Sequence, residues 1–283
     1  MMRIKIFSDF CGSDDCKKNF EFICNSDSVA NYGMGKTYYI TDDNDYTHAI
    51  IMNKAMPMLN IPKNNVIGLA FEPRELMNIT FSFVEYAKNH IGKYFIGNAD
   101  NLPEPFVEGF SYMWHSNPQK GIVDKPACMS IVLSSKTFAT GHIYRHLLVS
   151  KIIELGLPVD IWGNGSPKYN YSRVKGRFND SEPYEKYMFS VCIENYQNNH
   201  YISEKSITPL MFNCVPIYWG SKNINSYFEE VICITGEIES DIQIIIKILK
   251  DPTKYYTPTY TPKNTKTVNL LENLETLFQT PHP

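Results

Sequence analysis

The 283-residue chain has no run of apolar residues long enough to cross a bilayer, which takes about 20 in a row. Its first residues, Met-Met-Arg-Ile-Lys-Ile-Phe-Ser, show no signal-peptide pattern either, so neither an anchor nor a leader is expected. It has no surplus of basic charge: 27 Lys and Arg against 30 Asp and Glu leave a net charge of -3. Nothing in that balance draws the whole protein to nucleic acid or to an anionic membrane. The seven cysteines are odd in number and scattered. Cys11 and Cys16 have neither a second Cys pair nor a histidine partner, which argues against zinc. Cys192, Cys214 and Cys233 lie in or beside apolar runs, where a free thiol acts as a small hydrophobe. The expectation is a reduced chain in the cytoplasm. There is no internal repeat and no complete dinucleotide fingerprint. Gly163-Asn164-Gly165 lacks the third glycine and leads into a polar loop, which speaks against a Rossmann oxidoreductase.

What is present is alternation. Short apolar runs predict strands at 4–7, 37–40, 48–52, 65–71 and 94–96, with helical periodicity over 17–24 and 74–90. Residues 101–119 carry Pro, Gly and aromatics without a period and read as loop. After a junction at 121–126 the pattern restarts. Strands are predicted at 127–133, 159–162, 189–193, 215–218 and 229–234, and helices at 141–155, 184–187 and 239–250, with a last helix at 268–278. Residues 163–181 read as a polar, Tyr-rich loop. Strand–helix alternation in both halves of a chain this long predicts two α/β domains. The expected boundaries are 1–123, 124–263 and a C-terminal helical segment, 264–283, packed across both.

Residues 187–228 are the most informative stretch. A buried strand ending at Ile193 is followed by Glu194-Asn195 and a polar loop, then a helix opening on Ser203-Glu204-Lys205. A second strand follows and ends in Trp219-Gly220-Ser221. Strand, helix and strand in that order make a right-handed parallel crossover. Ligands in such sheets bind at the carboxyl ends of the strands, here beside a helix N-terminus that favours anions. A lysine in the first helical turn opposes the helix dipole, so helix stability alone does not select Lys205.

The blocks F-S-V-C-I-E-N (189–195), Y-I-S-E-K (201–205) and C-V-P-I-Y-W-G (214–220) resemble the signature of the family 10 glycosyltransferases, the α1,3/4-fucosyltransferases. Weaker similarity includes Phe71-Glu72-Pro73 and the strand 158–163. The resemblance implies a GT-B fold, two Rossmann-like domains facing across a cleft, with the nucleotide-sugar on the second domain and the acceptor on the first. It implies an inverting, metal-independent transfer of fucose from GDP-fucose to a glycan hydroxyl. It also suggests a bacterial or viral source, the host cytoplasm or virion if viral, because animal and plant relatives carry an anchor.

On that reading Lys205 contacts the diphosphate, Glu204 meets sugar or ribose hydroxyls, Tyr201 packs against the nucleotide, and Glu194 and Asn195 match the family pair. Glu194 and Asn195 could equally shape the loop by hydrogen bonding. Glu72, at the end of an apolar strand, matches the family carboxylate that takes the acceptor's proton, and partial burial would raise its pKa; Glu72 or Glu75 could instead compensate the helix that follows. One departure stands out: where the family has a diphosphate-binding arginine, alignment on Ile143-Tyr144 places Thr140. Arg145, His142, Arg177 or Lys136 would have to substitute, or the donor is another GDP- or UDP-hexose. A non-catalytic nucleotide-sugar or glycan-binding protein is the reading outside the enzyme class. His115 could meet the acceptor or simply pack. Asp43-Asn44-Asp45 spells the D-x-D of metal-dependent transferases, but in an acidic stretch it reads as a solvated turn, and no metal is expected.

Overall fold

The structure is a computed structural model describing residues 1–23, 29–114, 124–179, 181–257, 263, 270–271 and 273–279. Unit 1 comprises Met1–Asn117, Asn198–Tyr201 and Asn264–Pro283; unit 2 comprises Pro118–Gln197 and Ile202–Lys263.

Unit 1 holds β1 (Met2–Ser8), α1 (Ser13–Ile23), β2 (Tyr38–Ile40), β3 (His48–Met52), β4 (Val66–Leu69), α2 (Arg74–Met77), α3 (Phe81–His90), β5 (Lys93–Ile96) and β6 (Phe106–Glu108). Its strands pair in parallel in the order β2-β1-β3-β4-β5-β6. A parallel sheet is covered on both faces, so its strands are apolar almost throughout. Ile4, Ile6, Ile50 and Ile51 are accordingly inaccessible to solvent, each worth roughly 1.5–3 kcal/mol of burial.

Unit 2 holds β7 (Ala127–Val132), α4 (Thr140–Glu154), β8 (Val159–Trp162), β9 (Val174–Gly176), β10 (Tyr187–Ile193), α5 (Glu204–Met211), β11 (Val215–Trp219), β12 (Ile232–Cys233), α6 (Ile238–Lys250) and α7 (Pro252–Tyr255). Its parallel order is β12-β11-β10-β7-β8-β9. Counted from β7 as the first strand, this is the doubly wound 3-2-1-4-5-6 order, whose strand sequence reverses between β7 and β10. In unit 1 the reversal falls between β1 and β3. The predicted class, α/β with two Rossmann-like units of the GT-B type, is what the structure has.

Several local expectations change. The predicted helix over 74–90 is two helices, because Asn78 adopts a left-handed conformation (φ 45°) and the Thr80 hydroxyl caps a new start at Phe83 N–H. The helix expected at 17–24 begins at Ser13, with Asp14 and Asp15 in its dipole-compatible first turn. Residues 184–187 are not helical. They form a turn running into β10, and the buried Lys125 ammonium donates to the carbonyls of Tyr184 and Glu185, and to that of Phe212. The loops predicted at 101–119 and 163–181 each contain a three-residue strand, β6 and β9. At the C-terminus α8 (Leu274–Gln279) is described. This segment, expected to lie across both domains, groups with unit 1: Tyr38 donates to the Leu271 carbonyl and Asn31 to Glu275. Among the described residues no helix is long and apolar enough to cross a membrane.

Candidate functional site

The carboxyl ends of β7 and β10, at the switch point of unit 2, bring the conspicuous residues together. α4 starts after β7 and its first turn presses on the end of β10. Gly141 N–H donates to the Asn195 carbonyl at 2.9 Å, and a Cβ on Gly141 would stand 1.7 Å from the Glu194 carbonyl oxygen. Only glycine permits that approach. Gly220, at the end of β11, is similarly confined by Glu194 and the Tyr218 hydroxyl.

Glu194 is fully buried. Its carboxylate accepts from Ser203 N–H at 2.9 Å and from the Ser203 hydroxyl at 2.8 Å, and Lys205 Nζ lies 3.5 Å away. Ser203 is also the N-cap of α5, accepting from Lys205 N–H at 3.4 Å. Lys205 Nζ donates to the Ser203 hydroxyl at 3.1 Å and pairs with Glu204 at 3.0 Å. The Lys205 side chain is 23% exposed and that of Glu204 53%. The helix start therefore offers one cation and one carboxylate to solvent above a buried second carboxylate. Burial raises the Glu194 carboxyl above its usual range, against the lowering by Lys205 and the Ser203 hydrogen bonds. Desolvation alone would depress Lys205, but Glu204 and Glu194 hold its ammonium above the ordinary lysine value. Desolvation would raise Glu204, and Lys205 brings it below the carboxylate norm. Both members of the exposed pair are charged at neutral pH.

The cations considered for the place of Thr140 behave differently. Thr140 is exposed at the first position of α4, its hydroxyl 3.5 Å from the Asn195 carbonyl. Arg145 is 5% exposed and donates to the Ile193 carbonyl, so its charge supports Glu194 and Glu204 from within. His142 is buried, and its Nδ1 accepts from Ala139 N–H at 3.3 Å. Burial, together with Arg145, Lys136 and Lys205, pulls its pKa down to about 4, so it is neutral at pH 7. Lys136 is exposed after β7, its ammonium 5.9 Å from the centroid of the exposed Phe138 ring. Arg177 is exposed in the loop after β9. Of the alternatives on this side, Lys136 is the cation both exposed and close enough to influence His142.

Tyr201 is 4% exposed and belongs to unit 1 with Asn198, whose side chain accepts its N–H at 2.7 Å; a Cβ on Gly97 would meet its backbone nitrogen at 2.6 Å. Glu72 is also in unit 1, exposed and directly after Phe71. The strand exit before it is held by Asn53, whose side-chain oxygen accepts Phe71 N–H at 2.8 Å and whose amide reaches Asp9 at 3.4 Å. Asp9 and Asn53 follow β1 and β3, the switch point of this sheet. His115 lies outside the described residues. In the D-x-D stretch Asp45 pairs with Arg3 at 2.7 Å and Asn44 accepts from Lys5 at 3.1 Å, while the neighbouring Asp42 pairs with Lys17 at 2.8 Å. Two contributors, Ser203 and Asn53, escape sequence reading. Ser203 shows only as a cap, and Asn53 only through a left-handed backbone (φ 50°).

Residues 124–236 match the family model described as glycosyltransferase family 10 (fucosyltransferase), C-terminal. The matched residues include Lys136, Arg145, Glu194, Asn195, Ser203, Glu204 and Lys205. An α-(1,3)-fucosyltransferase of Helicobacter pylori is 38% identical over 50 residues, 18% of this chain and 10% of that protein. The match thus spans about a tenth of the relative's length. A crystal structure of an α1,3-fucosyltransferase has the same fold at TM-score 0.58, 14% identity, over 99% of this chain and 91% of that one. One with GDP gives 0.56 at 13% identity over 99% and 91%, and one with GDP-fucose 0.55 at 16% over 100% and 91%.

Proposed function

We propose that the chain is an inverting glycosyltransferase that moves fucose from GDP-fucose to a hydroxyl of a glycan. The observation that carries this reading is the Ser203-Glu204-Lys205 helix start. It presents a half-buried cation at the N-terminus of α5, at the switch point of a unit whose residues match the family 10 model. The reaction breaks the bond between the sugar's anomeric carbon and the diphosphate oxygen, and the electron pair leaves with GDP. The acceptor oxygen bonds to that carbon from the opposite face, and its proton passes to a base, the role assigned to Glu72. Lys205 and the helix N-terminus stabilise the charge that develops on the leaving diphosphate. Glu204, exposed and ionised, accepts from hydroxyls of the ribose or sugar. That a structure of the same fold contains GDP-fucose supports the choice of donor.

A second reading keeps the chemistry and changes the donor to another GDP- or UDP-hexose. Its support is Thr140, exposed where the family has an arginine, with Arg145 buried and unable to stand in. Thermal-shift measurements against a panel of nucleotide sugars separate the two, because a ligand at a hundred times its Kd stabilises by about 2.7 kcal/mol. Stabilisation by GDP-fucose, followed by release of GDP when a glycan is added, is the expected result. Stabilisation only by other nucleotide sugars selects the second reading, and no response to any removes both.

A further inference from the structure

The turn that leaves β1 carries two thiols that the proposed transfer does not use. Phe10 N–H donates to the Ser8 hydroxyl at 3.2 Å, and Cys11 follows, half-buried, before α1 begins at Ser13. Cys16 N–H donates to the Gly12 carbonyl at 3.0 Å, which folds the first helical turn back over this segment. With Phe20, Cys16 lies on the buried face of α1. Both thiols are free, and their sulfurs stand 3.3 Å apart. Among the described residues no other two cysteine sulfurs touch: Cys192 donates to the Ser190 carbonyl at 3.2 Å, and Cys233 accepts from Asn225 at 3.5 Å. A disulfide bond is about 2.05 Å long, so roughly 1.3 Å separates this arrangement from a covalent one, a gap on the scale of side-chain rotation.

We propose that Cys11 and Cys16 form a redox-active dithiol that closes to an intramolecular disulfide when it meets a low-molecular-weight disulfide, for which oxidised glutathione is the probe. Cys11, the more accessible thiol, reacts first: its thiolate attacks one sulfur of the oxidant, breaks that S–S bond and releases one thiolate, which takes up a proton. Cys16 then loses its proton and attacks the Cys11 sulfur, and the second half of the oxidant leaves as a thiol. Two protein S–H groups become one S–S bond and the oxidant's S–S bond becomes two S–H groups, so protons and electrons balance. Burial and the contact with Cys11 push the Cys16 thiol above its ordinary value, which suits it poorly to an oxidant in solution. As the second thiol it needs no solvent access, because the sulfur it attacks already lies beside it. Proximity supplies what its acidity lacks. The bond ties the turn at Cys11 to the first turn of α1. That turn begins at Asp9, which accepts from Lys54 N–H and the Asn53 side chain at 3.4 Å, so the dithiol adjoins the switch point of unit 1. The proposal is independent of the transferase reading.

Trypsin, cutting after Lys5 and Lys17, releases both thiols in one peptide, 6–17, that holds no third cysteine. The full chain is equilibrated in buffers of reduced and oxidised glutathione, quenched in acid, denatured, alkylated and digested for mass spectrometry. The peptide is expected to become about 2 Da lighter and to escape alkylation at oxidant ratios where the remaining cysteines are still alkylated, and dithiothreitol reverses this. Closure is at least about tenfold more favourable in the folded chain than in urea, because the fold presents the sulfurs to one another. Cys16→Ser leaves Cys11 as a glutathione adduct, Cys11→Ser leaves Cys16 free, and neither gives the lighter peptide. Cys16→Ala replaces Cys16→Ser if the buried hydroxyl prevents folding. A wild-type peptide that stays alkylated while other cysteines oxidise, a glutathione adduct that persists on Cys11 of the wild type, or closure only in urea overturns the proposal.

Discussion

The Ser203 hydroxyl lies 2.8 Å from a carboxylate oxygen of Glu194, and it accepts from Lys205 Nζ at 3.1 Å. One small side chain therefore joins a fully buried acid to the half-buried cation assigned to the diphosphate. Removing it costs twice. An N-cap serine is worth about 0.5–2 kcal/mol, and a hydrogen bond to a charged group roughly 1.5–3 kcal/mol. Ser203→Ala is expected to destabilise unit 2 by about 2–4 kcal/mol in denaturant titration. Ser203→Thr, which keeps the hydroxyl, loses less.

Gly141 is the second fixed point. With a Cβ 1.7 Å from a backbone oxygen of Glu194, Gly141→Ala must push the start of α4 away from β10. A loss above about 2 kcal/mol is expected, in the range of overpacked positions, together with weaker GDP binding. A thermal melt and a GDP titration of the same variant check both.

How far the sequence could go shows in these two residues. The strand–helix–strand unit was legible because apolar runs and a capped helix start are local patterns, and the family signature lies on them. Ser203 was visible only as the helix start. Its bond to Glu194 joins residues nine apart through the fold. Arg145, expected as one substitute for the family arginine, lies four residues before Val149 and seven before Ile152, on the buried stripe of α4. The resemblance places Tyr201 against the nucleotide, whereas in the structure Tyr201 belongs to unit 1 and Lys205 to unit 2. β6 and β9, with three residues each, were too short to announce a period. The base assignment of Glu72 came from the resemblance, while the Asn53 brace behind it joins strands that only the sheet order makes neighbours.

Stability below neutral pH depends on His142. Burial, with Arg145, Lys136 and Lys205, sets its folded pKa near 4, below the value of about 6.5 expected when unfolded. The unfolded chain then binds the extra proton, so this contribution is complete above pH 6.5 and is lost as pH falls towards 4. The loss is at most about 3.4 kcal/mol at 1.36 kcal/mol per pKa unit. Denaturant midpoints measured from pH 7.5 to 4 should fall less steeply for His142→Gln than for the wild type. Parallel curves would show that His142 does not titrate this way.

Glu72→Gln separates the base from the donor site. General-base catalysis is worth about 10²–10⁴ in rate, so turnover is expected to fall by that factor while GDP affinity and melting temperature stay close to wild type. Turnover at the wild-type level would move the role of base to another group.

Lys205 carries the central claim, and calorimetric titration of GDP-fucose into the wild type and into Lys205→Gln tests it most directly. The account predicts that the variant stays folded and binds at least tenfold more weakly, a difference of 1.4 kcal/mol or more. A folded variant that binds GDP-fucose within twofold of the wild type would contradict it.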